Sequence, residues 1–126
     1  MTTNNLISAI KAVITEHCPT VFFGISRPQY PKIDVDLREV TVDYGVRRNF
    51  LMTLDYYNDN GSYANLNDLA DSVGAALDFT GDFIRDGLVT IKRTGNRFAV
   101  GERTSEKIVQ ITERFEVKFY ERVNKQ

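Results

Sequence analysis

The fold is decided between residues 50 and 78, where the chain reads FLMTLDYYNDNG and then SYANLNDLADSVGAALD. Residues 50–57 are apolar on most of both faces, which predicts a central strand that is covered on one side and contacted on the other. Asn58 to Gly61 form a cluster of turn residues. A strand that ends in such a turn and leads into a helix sets the order of the elements around it.

Two amphipathic helices are predicted from apolar residues that recur at spacings of three and four. The later helix, with Asn60 or Ser62 as its cap, contains Gly74, a small residue that would permit close packing on a sheet. Its apolar stripe consists of Leu66, Leu69, Ala70, Val73, Ala76 and Leu77. The earlier helix has cap candidates at residues 3–5 and ends at Cys18-Pro19. Its apolar positions are Leu6, Ile7, Ile10, Val13 and Ile14.

Between the helices, the two prolines at positions 28 and 31 indicate an irregular or edge segment. Residues 32–38 then alternate, with Ile33, Val35 and Leu37 on one face and charged residues on the other, which predicts a half-buried strand. Val40 and Val42 extend this strand after a register change near Glu39.

The C-terminal part predicts a strand at 88–93, a hairpin turn at Thr94-Gly95-Asn96 and a returning strand at 97–100. A long alternating strand follows at 107–123. Glu113 falls on its apolar face. Because burying a lone carboxylate is costly, we expect a bulge or bend at residues 112–114, or an outer half of the strand that lies outside the core.

These elements predict a single domain, residues 1–126, of the α+β class. The sheet is mainly antiparallel, with two α-helices packed on one face and a long C-terminal β-hairpin. The opposite face would be left without helices, although we expect it to carry tyrosines and apolar residues such as Leu51, Val89 and Ile91. A second layer from another subunit would cover it.

Composition and charge exclude several functions. The net charge of -1 provides no overall field toward nucleic acid or anionic lipid. The first five residues lack the basic region of an export signal, and no apolar run is long enough to span a bilayer, so we expect no membrane association. The single cysteine is ordinary for a protein made in a reducing cytoplasm.

Catalytic and metal sites are weakly supported. His17 and Cys18 are adjacent at a helix end and have no further ligand, so we interpret Cys18 as a small filler beside a helix-end cation. Asp34 and Asp36 share a strand face and could bind a cation, but Lys32 and Arg38 flank them and would neutralise them on a solvated face. We therefore predict no enzyme, no metal and no cofactor.

Basic residues and tyrosines suggest contacts with other molecules. Arg93 and Arg97 lie at the predicted hairpin tip beside Phe98, with Arg103 beyond, where they could touch phosphate or an acidic partner. Basic hairpin tips are also usual on soluble proteins. Arg47-Arg48 is a second small cluster, and the chain has six tyrosines, a residue type enriched at interfaces.

From Phe50 onward the chain resembles the tail terminator or tail completion proteins of long-tailed bacteriophages, also called minor capsid or neck proteins. The resemblance rests on FLMTLDYYN, the helix GSYANLNDLADSVGAALD, and the terminal strand VQITERFEVKFYERV. The segment before Phe50, with its two prolines and Asp34-x-Asp36, lies outside it.

The resemblance implies a structural virion protein that is assembled in the host bacterial cytoplasm. Such a protein forms a homo-oligomeric ring, commonly hexameric, that caps the tail tube protein and meets the head-tail connector, with DNA passing through its lumen. The implied interface residues are Tyr56, Tyr57, Glu113, Phe115, Arg47, Arg48, Arg93, Arg97, Phe98 and Arg103. Two alternatives stay open: a head-closure or neck adaptor protein, and a small non-viral α+β binding module.

Overall fold

The computed structural model of the chain describes residues 2–43, 47–59, 63–78, 80–84, 87–94, 97–103 and 108–121. It contains two helices, α1 at Thr2–Thr15 and α2 at Tyr63–Leu77. The predicted caps of α1 at residues 3–5 lie inside the helix, and the predicted caps of α2 lie outside the described residues. Both predicted helices are otherwise confirmed.

The described strands form one seven-stranded sheet in the order β1-β2-β3-β7-β5-β4, with β6 also paired to β7. Their bounds are β1 Val21–Phe23, β2 Lys32–Asp43, β3 Arg47–Asn58, β4 Thr80–Ile84, β5 Gly87–Arg93, β6 Phe98–Arg103 and β7 Ile108–Glu121. The pairing is antiparallel except between β1 and β2. This architecture confirms the predicted α+β fold with a mainly antiparallel sheet.

A single core lies between the two helices and one face of the sheet. Leu6, Ile10 and Ile14 of α1 join the buried stripe of α2 in one cluster with strand residues. The strands supply alternate positions to it, as a pleated sheet requires, among them Ile33 and Val35 of β2. Both helices therefore cover the same side of the sheet.

The register of β2 changes where the sequence predicted it. Pairing with β3 runs from Lys32 opposite Tyr57 to Glu39 opposite Phe50, and it shifts between Glu39 and Thr41. Val40, which lies at this bulge between the two registers, is 47% exposed.

Strands β5 and β6 do not form a hairpin with each other. Both are antiparallel to β7, β5 opposite residues 121–115 and β6 opposite 112–108, so they run in the same direction as two halves of one interrupted strand. The hairpin predicted between these two strands, with its turn at Thr94-Gly95-Asn96, is therefore wrong; of the three turn residues only Thr94 is described. The long C-terminal hairpin is formed instead by β6 and β7.

Strand β7 carries a buried carboxylate without a bulge. Its pairing with β3 is continuous from Tyr120 opposite Arg47 to Val109 opposite Asn58, so the bulge or bend predicted at 112–114 is wrong. Glu113 is fully buried on the helix side of the sheet. The strand enters the core along its length, and the carboxylate must be stabilised there by partners.

Two arginines and a tyrosine supply those partners. Glu113 Oε2 accepts a hydrogen bond from Arg97 Nε at 3.1 Å and lies 3.1 Å from Arg93 Nε. Glu113 Oε1 accepts a hydrogen bond from the Tyr56 hydroxyl at 3.0 Å. Arg97 also reaches Asp71 of α2 at 2.8 Å, which ties the helix to the sheet. Burial and the neighbouring Glu113 carboxylate raise the pKa of Tyr56, and the charge of Glu113 is compensated as buried charges require.

Helix α2 approaches this cluster through Gly74. A Cβ atom built at position 74 would overlap the Nη2 atom of Arg93 and lie 3.7 Å from Glu113 Oε1. The absence of a side chain therefore makes room for the guanidinium group beneath the helix, which confirms the predicted role of Gly74 in close packing.

We expect Glu113→Gln to lower the free energy of unfolding by about 1–3 kcal/mol, because it removes a charged hydrogen-bond acceptor from between two guanidinium groups. The matched control is Glu116→Gln on the same strand, where the half-exposed carboxylate pairs with Lys118. This change should lower the free energy of unfolding by about 0–1 kcal/mol. Urea unfolding of the three proteins measures both effects. Equal decreases in the free energy of unfolding for the two variants would contradict the role assigned to Glu113.

We expect Gly74→Ala to be destabilising by about 1 kcal/mol in the natural chain, because the new methyl group pushes Arg93 away from Glu113. In an Arg93→Ala background the same change should stabilise the protein by about 0.5–1 kcal/mol through the higher helix propensity of alanine. A double-mutant cycle from urea unfolding measures the coupling. Additive effects would show that position 74 does not act through Arg93.

Candidate functional site

The face of the sheet opposite the helices is a candidate surface, since no described helix covers it. In antiparallel pairs, residues directly opposite each other share a face, which defines the membership of this uncovered face. It includes Lys32, Asp34, Asp36 and Arg38 of β2; Arg47, Asn49, Leu51, Thr53, Asp55 and Tyr57 of β3; Gln110, Thr112, Arg114, Glu116, Lys118 and Tyr120 of β7; Leu88, Thr90 and Lys92 of β5; and Phe98 of β6.

The apolar residues expected on this face are only partly there. Leu51 lies on it and is 48% exposed, whereas Val89 and Ile91 point to the helix side and are fully buried. The assignment of Val89 and Ile91 was wrong because β5 pairs with β7 in the register that places them opposite Phe119 and Val117. Exposed apolar surface on the uncovered face comes instead from Leu51, Leu88 and Phe98.

Most of the uncovered face is polar and internally paired. Asp36 lies 3.4 Å from Arg38, and Glu116 lies 3.3 Å from Lys118. Towards the end of β3, Asp55 accepts a hydrogen bond of 2.6 Å from Thr112. An antiparallel sheet with such a face is stable in contact with water. The apolar area alone therefore does not require a covering subunit.

Several of the residues predicted at an interface lie inside the subunit. Tyr56, Glu113 and Phe115 are fully buried under the helices, so they cannot form lateral contacts in this fold. Arg93 and Arg97 are bound to Glu113 and do not stand at a hairpin tip. The alternation of β7 had predicted the inward direction of Glu113 and Phe115, and their assignment to an interface is corrected here.

The remaining predicted interface residues are nearer the surface. Phe98 is 43% exposed and lies under the guanidinium of Arg114, 5.5 Å from ring centroid to carbon. Arg48 pairs with Glu39 at 2.7 Å, and the bond from Arg48 lowers the pKa of that carboxyl group. Arg47 and Tyr57 are half-buried on the uncovered face. The side chain of Arg103 lies outside the described residues.

At one end of the uncovered face, Lys32 is held among three aromatic rings. Its ammonium group lies 4.8 Å from the ring centroid of Tyr57, 5.6 Å from Tyr30 and 5.9 Å from Phe22. It also pairs with Asp34 at 3.4 Å and donates a hydrogen bond to Ser26. The expectation that Lys32 and Arg38 neutralise Asp34 and Asp36 is confirmed.

The loop at residues 24–31, here called the Ile25 loop, was not identified from the sequence as a functional element. It joins β1 to β2, starts at Gly24 with a φ of 118°, and presents Ile25 with 92% of its surface exposed. Ser26 donates a hydrogen bond of 2.7 Å to Asp34, which ties the loop to β2. The one available signal was an isoleucine inserted among Gly, Ser, Arg and Pro residues, where turn composition predicts exposure.

A pocket of about 360 Å³ opens between the end of α1 and the start of α2 and is called here the interhelical pocket. Its lining residues are His17, Cys18, Pro19, Pro31, Asn58, Asn65, Leu66 and Leu69. Cys18 is buried, which raises the pKa of its thiol, and its Sγ donates a weak hydrogen bond to the Thr20 carbonyl at 3.5 Å. Its small buried side chain confirms the interpretation of Cys18 as a filler.

Within the described residues, no group of three or more His, Cys, Asp or Glu side chains converges to hold a metal ion. In the same part of the chain, neither helix has the length and apolar character needed to cross a membrane.

No protein-family model and no curated protein sequence matches the chain. Among solved structures, a chain from the virion of a native gene transfer agent particle has a similar fold, with a TM-score of 0.62 and 12% sequence identity. The similarity covers 90% of this chain and 96% of that chain. At this level of identity the match shows that the two chains share a fold.

We expect Lys32→Met to loosen the Ile25 loop and to destabilise the protein by about 1–2 kcal/mol, because methionine keeps the packing but loses the charge among the rings. Hydrogen exchange of the loop amides should accelerate more than that of β7. The control is Lys118→Met on the same face, whose half-exposed ammonium group pairs with Glu116. Unchanged exchange at residues 24–31 would exclude this bracing role of Lys32.

Proposed function

We propose that the chain is a structural virion protein that acts by assembling with other subunits. Support comes from the fold shared, over nearly the full length of both chains, with a component of a gene transfer agent virion. Within this class we propose a tail terminator, a homo-oligomeric ring that caps the tail tube and meets the head-tail connector. The resemblance of residues 50–126 to that family supports this finer role.

The architecture suits assembly because one face of the sheet is left without helices and a separate apolar residue stands out from a braced loop. A ring needs two different lateral surfaces on each subunit, and it needs axial surfaces for its neighbours. Of the residues first assigned to interfaces, Tyr57, Arg47, Arg48 and Phe98 remain candidates from their positions. Tyr56, Glu113 and Phe115 are buried in the core instead, and Arg93 and Arg97 pair with Glu113 there.

The polarity of the uncovered face suits a subunit that is soluble before it assembles. Paired charges such as Asp36 and Arg38 tolerate water, while Leu51, Leu88 and Phe98 supply apolar contact points between them. Interfaces of reversible assemblies combine polar and apolar area in this way. We therefore expect contacts that form on a tail tube end more readily than between free subunits.

Deletion of the chain from the phage or particle that encodes it tests the proposed function. We expect tails of uncontrolled, excessive length in electron micrographs, because tube polymerisation is no longer stopped. Expression of the natural chain should restore uniform tails, and Leu51→Asp should restore them poorly, because it places a charge in the uncovered face. Lys11→Glu, on the exposed side of α1, is the matched surface control.

The outcomes separate the alternatives. Tails of normal length on heads that leak DNA would contradict the terminator and favour a neck adaptor protein. Particles that are complete without the chain, together with no binding of the purified chain to tail tube ends, would contradict a virion role and leave the small binding module.

A further inference from the structure

The exposed side of α2 is acidic. The helix contains Asp68 and Asp71, Asp78 follows its last residue, and its sequence YANLNDLADSVGAAL has no Lys or Arg. With 3.6 residues per turn, the three exposed aspartates lie within about 80° of one another around the helix axis. Asp71 pairs with Arg97 of its own subunit. Asp68 and Asp78 pair with no basic side chain in the part of the chain that the structure describes.

The C-terminal end of α2 carries negative charge that its own subunit does not compensate. The amide of Asp78 donates a hydrogen bond to the Gly74 carbonyl at 3.0 Å, so this residue continues the last turn of the helix. The helix dipole is negative at this end and favours cations there, yet the last turn contains no basic residue. The Asp78 carboxylate therefore destabilises its own subunit, and a cation from another molecule would relieve this effect.

Three cations stand together on the uncovered face and are called here the basic patch: Arg114 and Lys118 of β7, and Lys92 of β5. Lys92 lies directly opposite Glu116, which lies between the other two on β7, so the three cations surround one carboxylate. Glu116 pairs with Lys118 at 3.3 Å. Arg114 and Lys92 are exposed and pair with no carboxylate of the described residues. The basic patch therefore has an excess of positive charge.

The acidic side of α2 and the basic patch match in spacing as well as in charge. Asp68 and Asp78 are separated by about 15 Å along the helix axis. Arg114 and Lys118 are separated by about 13 Å along their strand. The guanidinium of Arg114 is held over the Phe98 ring, 5.5 Å from its centroid, which positions this cation in advance. A helix that lies along β7 thus brings one aspartate to each end of the basic patch.

We infer that α2 of one copy packs on the uncovered face of a second copy, with Asp68 and Asp78 at the basic patch. The inference rests on the proposed oligomeric function and names the contact that links its subunits. The helices and the uncovered face lie on opposite sides of the chain. The contact is therefore head-to-tail and repeats from copy to copy, as a ring requires.

The same patch is less suited to nucleic acid. Glu116 lies among its three cations, and Asp36 lines one groove together with Arg114. Both carboxylates would repel phosphate groups, whereas a protein surface that carries a few separate aspartates can avoid them.

Reciprocal charge reversal tests this contact. Asp68→Lys with Asp78→Lys makes the helix basic, and Lys92→Glu with Arg114→Glu makes the patch acidic. Each double variant alone should associate about tenfold or more weakly than the natural chain in sedimentation equilibrium at low salt, because like charges meet at every contact. An equimolar mixture should recover association, since the basic helix of one variant meets the acidic patch of the other. Arg27→Glu, exposed in the Ile25 loop, is the charge-reversal control.

A second measurement uses the position of Asp78 at the helix end. Asp78→Asn should raise the unfolding midpoint of the free subunit, because it removes a negative charge from the negative end of the helix dipole. The same variant should weaken self-association about threefold to tenfold, because one charge pair is lost from each contact. Asp68→Asn should weaken association without raising the midpoint. A higher midpoint with unchanged association in Asp78→Asn protein would contradict the inferred contact.

Other outcomes would overturn the inference while leaving the proposed function intact. One is natural association in either double variant. Another is weak association in both that the mixture does not recover, since helix and patch would then not meet each other. Weakening in the patch variant alone, together with loss of binding to a short double-stranded DNA, would assign the patch to nucleic acid. Failure of the natural chain to associate with itself or with tail tube ends would instead remove the proposed function.

Discussion

The compensation of one buried carboxylate organises the centre of this fold. Glu113 faces the core on the longest strand, where an unpaired charge would cost several kcal/mol. Arg93 at the end of β5 and Arg97 just before β6 both reach it. Gly74 leaves room for the first guanidinium, and Asp71 binds the second from the same helix. The glycine in the helix and the buried tyrosine hydroxyl both contribute to that compensation.

Local patterns in the sequence were sufficient to predict most of the helices and strands. The stripe of α2, the alternation of β2 and its register change at Glu39 are short-range features, and each was predicted. The partners of Glu113 could not be predicted in the same way. They are far apart in sequence, and their meeting depends on β5 and β6 lying end to end along β7. The residues at 94–96 are typical of a hairpin turn, and their composition cannot distinguish a reversal of the chain from a break in a continuing strand.

The uncovered face shows a different limit of sequence reasoning. The count of predicted elements left one side of the sheet without helices, and neither helix of the described residues covers that side. Whether polar or apolar residues lie on that side depends on the strand register, because a shift of one residue exchanges the two faces of a strand. Val89 and Ile91 lie inside, and polar residues such as Thr90 and Lys92 lie outside. The face is therefore compatible with water, and any neighbour it meets must satisfy charges as well as apolar groups.

The Ile25 loop beside this face is held by residues of the sheet. Ser26 of the loop donates a hydrogen bond to Asp34 of β2, while Ile25 is 92% exposed. The bracing uses Lys32, a residue that belongs to the uncovered face through the register of β2 with β3. Tyr57 lies opposite Lys32 and provides the nearest of the three rings. The end of β3 therefore helps to hold the loop in place, because the Tyr57 ring contacts the ammonium group that also bonds Ser26.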